Sequence, residues 1–177
     1  MEIIKTEIED LLIIKPKVFF DERGYFFETY HQKKFFEQNL KTTFVQDNLS
    51  KSSYGVVRGL HFQRDDDAQA KLVTVLLGKV LDVAVDIRPN SPTFGRWHSV
   101  ELSDENHLQF FIPRGFAHGF SVLSKTAIFS YKCDNPYNPQ SEDGISLFDK
   151  NLKINWKVPE NQMIISEKDK MHKDLRF

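Results

Sequence analysis

The chain has 177 residues, 24 Lys plus Arg against 25 Asp plus Glu, and a single cysteine. The length fits one domain with a sizeable core, and the charge balance leaves no basic surplus for a nucleic-acid face and no polybasic run for a membrane surface. Cys133 alone excludes an internal disulfide; Met1-Glu2-Ile3-Ile4-Lys5 lacks the apolar run of a signal peptide and no stretch reaches membrane-spanning length, so a soluble cytoplasmic protein is expected.

Gly and Pro fall singly between short apolar runs, the pattern of an all-β domain. Residues 31–40 predict a helix with Phe35, Phe36 and Leu40 on one face. Strands are expected at 44–53 and 56–62, followed by Asp65-Asp66-Asp67 as a solvated loop tip. A strand at 72–77 leads to Gly78-Lys79, placed for a tight hairpin turn. Residues 79–88 alternate, with Val80, Asp82, Ala84 and Asp86 on one parity and Leu81, Val83, Val85 and Ile87 on the other, which predicts a half-buried strand. Further strands are expected at 97–102, 107–112, 117–123 and 126–133, then extended loop over 135–156. Ser166 is placed to cap a short helical turn at 166–169. The spacing of strands and turns predicts a sandwich or small barrel. Sixteen phenylalanines fit a β-rich core, with a few left for a pocket or a subunit interface.

The chemistry concentrates in Val56-Val57-Arg58-Gly59-Leu60-His61-Phe62-Gln63 and in Lys71, ten residues beyond the histidine. An imidazole moves protons near neutral pH. An ammonium beside it can hold a developing oxyanion, and a guanidinium suits phosphate. Together they point to proton chemistry next to a carbonyl, on a substrate that carries phosphate. A second segment, Ile112-Pro113-Arg114-Gly115-Phe116-Ala117-His118-Gly119-Phe120, has the Pro-x-Gly-x-x-His spacing that resembles the second motif of the cupin superfamily, whose fold is a small jelly-roll barrel. Metal-binding cupins carry a His-x-His pair in their first motif. The matching place here is His61-Phe62-Gln63, and two histidines with a glutamine are a poor set for zinc or iron. No bound metal is expected.

Over nearly its whole length the chain resembles the dTDP-4-dehydrorhamnose 3,5-epimerase family of metal-free cupins. The resemblance rests on Asp21-Glu22-Arg23-Gly24 with Phe27-Glu28, on Gln46-Asp47-Asn48, on Arg58 to Gln63, and on Lys71-Leu72-Val73. It continues through Asp86-Ile87-Arg88, Ser91 to Gly95, Pro113 to Phe120, Tyr131-Lys132 and Tyr137-Asn138-Pro139. The resemblance implies an all-β jelly-roll domain over 1–177, a homodimer, and a dTDP-linked 4-keto-6-deoxyhexose as substrate. It implies inversion of both carbons flanking the ketone, which needs a base, an oxyanion stabiliser and an acid on the opposite face. No redox cofactor is required, and no Gly-rich phosphate loop opens a helix.

By the same resemblance His61 is the base, with Asp169 of Ile165-Ser166-Glu167-Lys168-Asp169 as its partner. A strand histidine alone is more often a satisfied core or surface group, and Asp169 alone reads as a solvated charge. Lys71 takes the oxyanion role. Tyr131 takes the acid role, which an ordinary tyrosine pKa of about 10 suits. Arg23, Phe27, Glu28, Gln46, Asn48, Arg58, His118 and Tyr137 match positions around the nucleotide sugar, with Arg23 and Arg58 natural diphosphate contacts. In this family the N-terminal region reaches across a dimer, so some of these residues are expected to serve the neighbouring subunit. The loop Arg64 to Ala70 lacks the proline that family members carry before Ala-Gln, and Asn135-Pro136 before Tyr137 is unusual. Three alternatives stay open at this point: inversion at one carbon only, a different nucleotide, and a cupin that binds a sugar nucleotide without turning it over.

Overall fold

A computed structural model describes residues 1–176. Thirteen strands and two short α-helices follow in chain order: β1 (Glu2–Lys5), β2 (Leu12–Lys15), β3 (Phe19–Asp21), β4 (Gly24–Phe26), α1 (Gln32–Glu37), β5 (Gln46–Ser53), β6 (Val57–Gln63), β7 (Lys71–Leu77), β8 (Lys79–Asp86), β9 (Trp97–Ser103), β10 (Gln109–Ile112), β11 (Phe116–Val122), β12 (Thr126–Cys133), β13 (Glu142–Gly144) and α2 (Glu167–Lys170). A six-stranded sheet, β1-β2-β10-β7-β12-β5, faces a five-stranded sheet, β13-β6-β11-β8-β9, with β3–β4 as a separate hairpin. This is the expected jelly-roll sandwich. No helix among the described residues is long and apolar enough to cross a membrane.

The eight strands predicted between residues 44 and 133 form, with ends shifted by one or two residues. Four N-terminal strands and β13, inside the predicted 135–156 loop, were not anticipated. Each has only three or four residues, too few for alternation to register.

The inner faces of the two sheets meet in one core. Val73 and Val75 of β7, Phe110 of β10 and Phe129 of β12 pack against Val80 and Ala84 of β8 and Phe116 and Phe120 of β11. The outer face of the five-stranded sheet is covered too. Leu81, Val83 and Val85 of β8 pack under Ile145, Leu147, Leu152 and Trp156. Strand β8 is therefore buried on both faces, contrary to the half-buried strand its acids predicted. Asp82 and Asp86 are fully buried because each has partners: His118 for Asp82, and Arg88, Ser91 and Thr93 for Asp86. The 135–156 segment is thus a cover that carries core residues. Helix α1 covers the other sheet with Phe35, joined by Leu40, while Phe36 is exposed and does not share their face.

Gly78 does not make a hairpin turn. Its neighbours β7 and β8 lie in different sheets, so Gly78, at φ 79°, turns the corner between the layers. Gly59 is the other position where glycine decides geometry. It sits at φ 132°, and a β-carbon there would fall 2.5 Å from the Gly119 Cα. The β6–β11 register places His61 opposite His118 but Arg58 opposite Phe120, so β6 carries one extra residue at this bulge. Strict alternation would send Arg58 and His61 to opposite faces. The bulge resets the parity, and both side chains line the same cavity.

Candidate active site

A cavity of about 340 Å³ opens between the sheets. Asn48 of β5, Arg58 and His61 of β6, Lys71 of β7, His118 of β11 and Tyr131 of β12 line it, with Phe120 and Phe129. These two rings stack at 4.1 Å and 13° and give the polar groups a rigid apolar support.

Asp169 reaches His61 from α2, behind the cavity wall. Ser166 caps the helix as predicted, its Oγ accepting from the Asp169 N–H at 3.1 Å. The Asp169 carboxylate then accepts His61 Nε2–H at 2.9 Å through Oδ1 and Gly59 N–H at 3.3 Å through Oδ2. Burial pulls the Asp169 carboxyl upward, but the His61 hydrogen bond and charge, with Gly59 and Ser166, outweigh it and hold the group below the usual carboxylate range. A carboxylate on Nε2 assigns the proton to that nitrogen and leaves the Nδ1 lone pair as the basic site.

Lys71 Nζ lies 6.0 Å from the Tyr131 ring centroid. Burial pushes the ammonium down, against the pull of the Cys133 sulfur and the Asp82 and Glu142 carboxylates. Burial also pushes the Tyr131 hydroxyl up, so it holds its proton at neutral pH. His118 is fixed by Asp82, Nε2 to Oδ1 at 2.9 Å, and burial pushes its imidazolium down.

The remaining predicted residues divide. Gln46 donates to Asn48 Oδ1 at 3.0 Å and accepts the Tyr137 N–H at 2.9 Å, which ties Tyr137 to β5. Tyr137 is exposed and donates its hydroxyl to Glu142 at 2.6 Å, and Glu142 is also paired with Lys168. Gln63 turns to the Asp67 and Pro136 carbonyls and accepts the Asn138 N–H. Asp65 and Asp66 form the predicted exposed tip.

Arg23, Phe27 and Glu28 are not brought to the cavity of their own chain. Arg23 pairs with Asp21 at the end of the β3–β4 hairpin, Glu28 pairs with Lys34, and Phe27 stacks on Tyr25 and His107. Sequence reasoning passed over Asp82, Glu142 and Lys168. Asp82 had a signal, as an acid sharing its parity with Val80 and Ala84. Glu142 had none.

A buried carboxylate behind an imidazole, in one cavity with a protonated phenol and an ammonium, can remove a proton and return one. The comparisons agree with that chemistry. Residues 5–176 match the family described as dTDP-4-dehydrorhamnose 3,5-epimerase. The chain is 55% identical to the dTDP-4-dehydrorhamnose 3,5-epimerase of Shigella flexneri, over 96% of this chain and 93% of the relative. The solved structure of the Elizabethkingia anophelis dTDP-4-dehydrorhamnose 3,5-epimerase superposes with TM-score 0.93 at 58% identity, covering 98% of this chain and 96% of that one. A Legionella pneumophila dTDP-6-deoxy-D-glucose-3,5-epimerase solved with dTDP-4-keto-L-rhamnose also superposes with TM-score 0.93, at 52% identity over 98% of this chain and 92% of the other. With a family match across residues 5–176 and relatives above half identity over nearly the whole length, the chain belongs to the dTDP-4-dehydrorhamnose 3,5-epimerase family of isomerases.

Proposed function

We propose that this chain converts dTDP-4-dehydro-6-deoxy-D-glucose to dTDP-4-dehydro-L-rhamnose by inverting both carbons beside the ketone. The ketone acidifies the protons on those carbons. His61, through Nδ1, takes one of them; the electron pair moves onto the ketone oxygen, and Lys71 stabilises the resulting enolate. Tyr131 delivers a proton to the opposite face, inverting the centre, and solvent restores the proton to tyrosinate and removes one from imidazolium. Repeating the sequence at the second carbon completes the reaction, with no change of oxidation state.

The observation that carries this reading is the His61–Asp169 pair at 2.9 Å in a cavity shared with Lys71 and Tyr131. A site that only bound a sugar nucleotide would have no use for a buried carboxylate behind an imidazole. Arg58 is the diphosphate contact, and Asn48, Gln46, His118 and Tyr137 position the nucleotide sugar. The protein acts as a cytoplasmic homodimer, and Arg23, Phe27 and Glu28 serve the partner's cavity. The exposed aromatics of the hairpin, Phe19, Phe20, Tyr25 and Phe26, support that assignment, since such a patch is costly to leave in water.

The test is His61→Asn, assayed by chromatographic separation of the two sugar nucleotides, with circular dichroism as the control for folding. Turnover falls by about 10³-fold or more while the spectrum is unchanged. A folded variant within tenfold of the parent removes His61 from the role of base.

A further inference from the structure

His172 follows α2 and takes no part in the proton transfers above. Its ring stands edge-on to His61, with centroids 5.8 Å apart and planes at 70°. It packs over the bare Cα of Gly144, where a β-carbon would fall 2.5–2.6 Å from three atoms of the imidazole. Its Nε2 is buried and has no hydrogen-bond partner among the described residues. One donor atom from each of His61, Asp169 and His172 lies within 4.8 Å of the other two.

We propose that these three side chains form an inhibitory site for a borderline transition-metal dication, Zn²⁺ above all. Two imidazoles and one carboxylate suit zinc, whereas magnesium and calcium need more oxygen ligands than are present. Donors bound at about 2.1 Å around a tetrahedral ion lie about 3.4 Å apart. The His61–Asp169 contact of 2.9 Å therefore opens by about half an ångström, and His172 draws inward. The ion takes the place of the proton between Nε2 and Oδ1, and that proton leaves to solvent. A dication on Nε2 strips Nδ1 of its basicity and occupies the carboxylate that supported it. Turnover stops while the cavity stays open.

Metal binding here depends only on the three side chains; inhibition also rests on His61 as the base. The test separates them. Isothermal titration of ZnCl₂ into the full chain is run near neutral pH in two non-chelating buffers of different ionisation enthalpy. Zn²⁺ binds one per chain and releases about one proton. His172→Ala and His172→Phe each weaken binding by about 100-fold or more. The phenyl ring keeps the packing over Gly144, so that variant tests ligation even where alanine disturbs folding. Zn²⁺ inhibits turnover of the parent over the same concentration range, and EDTA restores it. Equal affinity in His172→Phe overturns the site. So does a titration abolished instead by His98→Ala, which removes the exposed His98–Glu7 pair. Zn²⁺ saturation with unchanged turnover overturns the inhibition. Should the substrate not be turned over at all, the epimerase reading fails and the calorimetry still decides the site.

Discussion

Replacing Asp169 with Asn isolates what the buried carboxylate does. The amide has nearly the same shape, and its oxygen can still accept the Gly59 N–H, so the fold is kept. It differs in what it offers His61. The carboxylate only accepts, which keeps the proton on Nε2 and the lone pair on Nδ1. The amide can turn its NH₂ toward Nε2, which then accepts, and the proton moves to Nδ1, where the base should be free. The imidazolium formed during turnover also loses its counter-charge in a site where the aspartate side chain is only 5% exposed. A tautomer reversal of this kind costs about 10⁴ in kcat in another His–Asp pair, or about 5.5 kcal/mol of transition-state stabilisation. KM moves little, because Asp169 stands behind His61 and does not line the cavity. Steady-state kinetics on purified Asp169→Asn measures both constants. A kcat within tenfold of the parent, or a loss carried entirely by KM, refutes the reasoning.

Tyr131→Phe still exchanges the substrate proton with solvent but forms product about 10²–10⁴-fold more slowly, read by comparing isotope exchange with product formation; equal loss of both moves Tyr131 out of the acid role. Asp86→Asn lowers stability at neutral pH by about 2–3 kcal/mol, because it removes the charge opposite Arg88 and turns the Oδ2 acceptor of Arg88, Ser91 and Thr93 into an NH₂ donor. Burial raises the Asp86 carboxyl, but those hydrogen bonds reverse it and hold it at about 2 against an ordinary 3.8. The stabilisation is therefore complete above the ordinary value and lost as pH falls toward 2, so urea midpoints of parent and variant converge on acidification. Gly59→Ala, at φ 132° and against Gly119, costs about 3 kcal/mol or more in thermal unfolding; a variant of parental stability would show that the bulge needs no glycine.

The eight central strands were legible because most are short apolar runs bounded by turn residues, whether one face is buried or both. Burial failed to follow from pattern at Asp82 and Asp86, whose acids look like a solvent face until His118 and Arg88 are seen beside them. The corner at Gly78 looked like a hairpin because sequence gives the turn but not the sheet to which the next strand belongs. Most of the cavity lining lay in motifs that sequence could mark, yet Arg58 and His61 share it only through the bulge at Gly59. Asp169 stands 108 residues from His61, and local chemistry could not pair them; the family pattern did. The phenylalanines also divide in a way pattern could not sort: Phe110 is fully buried, while Phe19, Phe20 and Phe26 remain open on the hairpin that the dimer assignment uses.

The most direct measurement is turnover of dTDP-4-dehydro-6-deoxyglucose in heavy water, with deuterium located by NMR, for the parent and for His61→Asn. The account predicts deuterium at both carbons beside the ketone with the parent and at neither with the variant. Deuterium at a single carbon would contradict the double inversion, and exchange at the parental rate in His61→Asn would contradict the base.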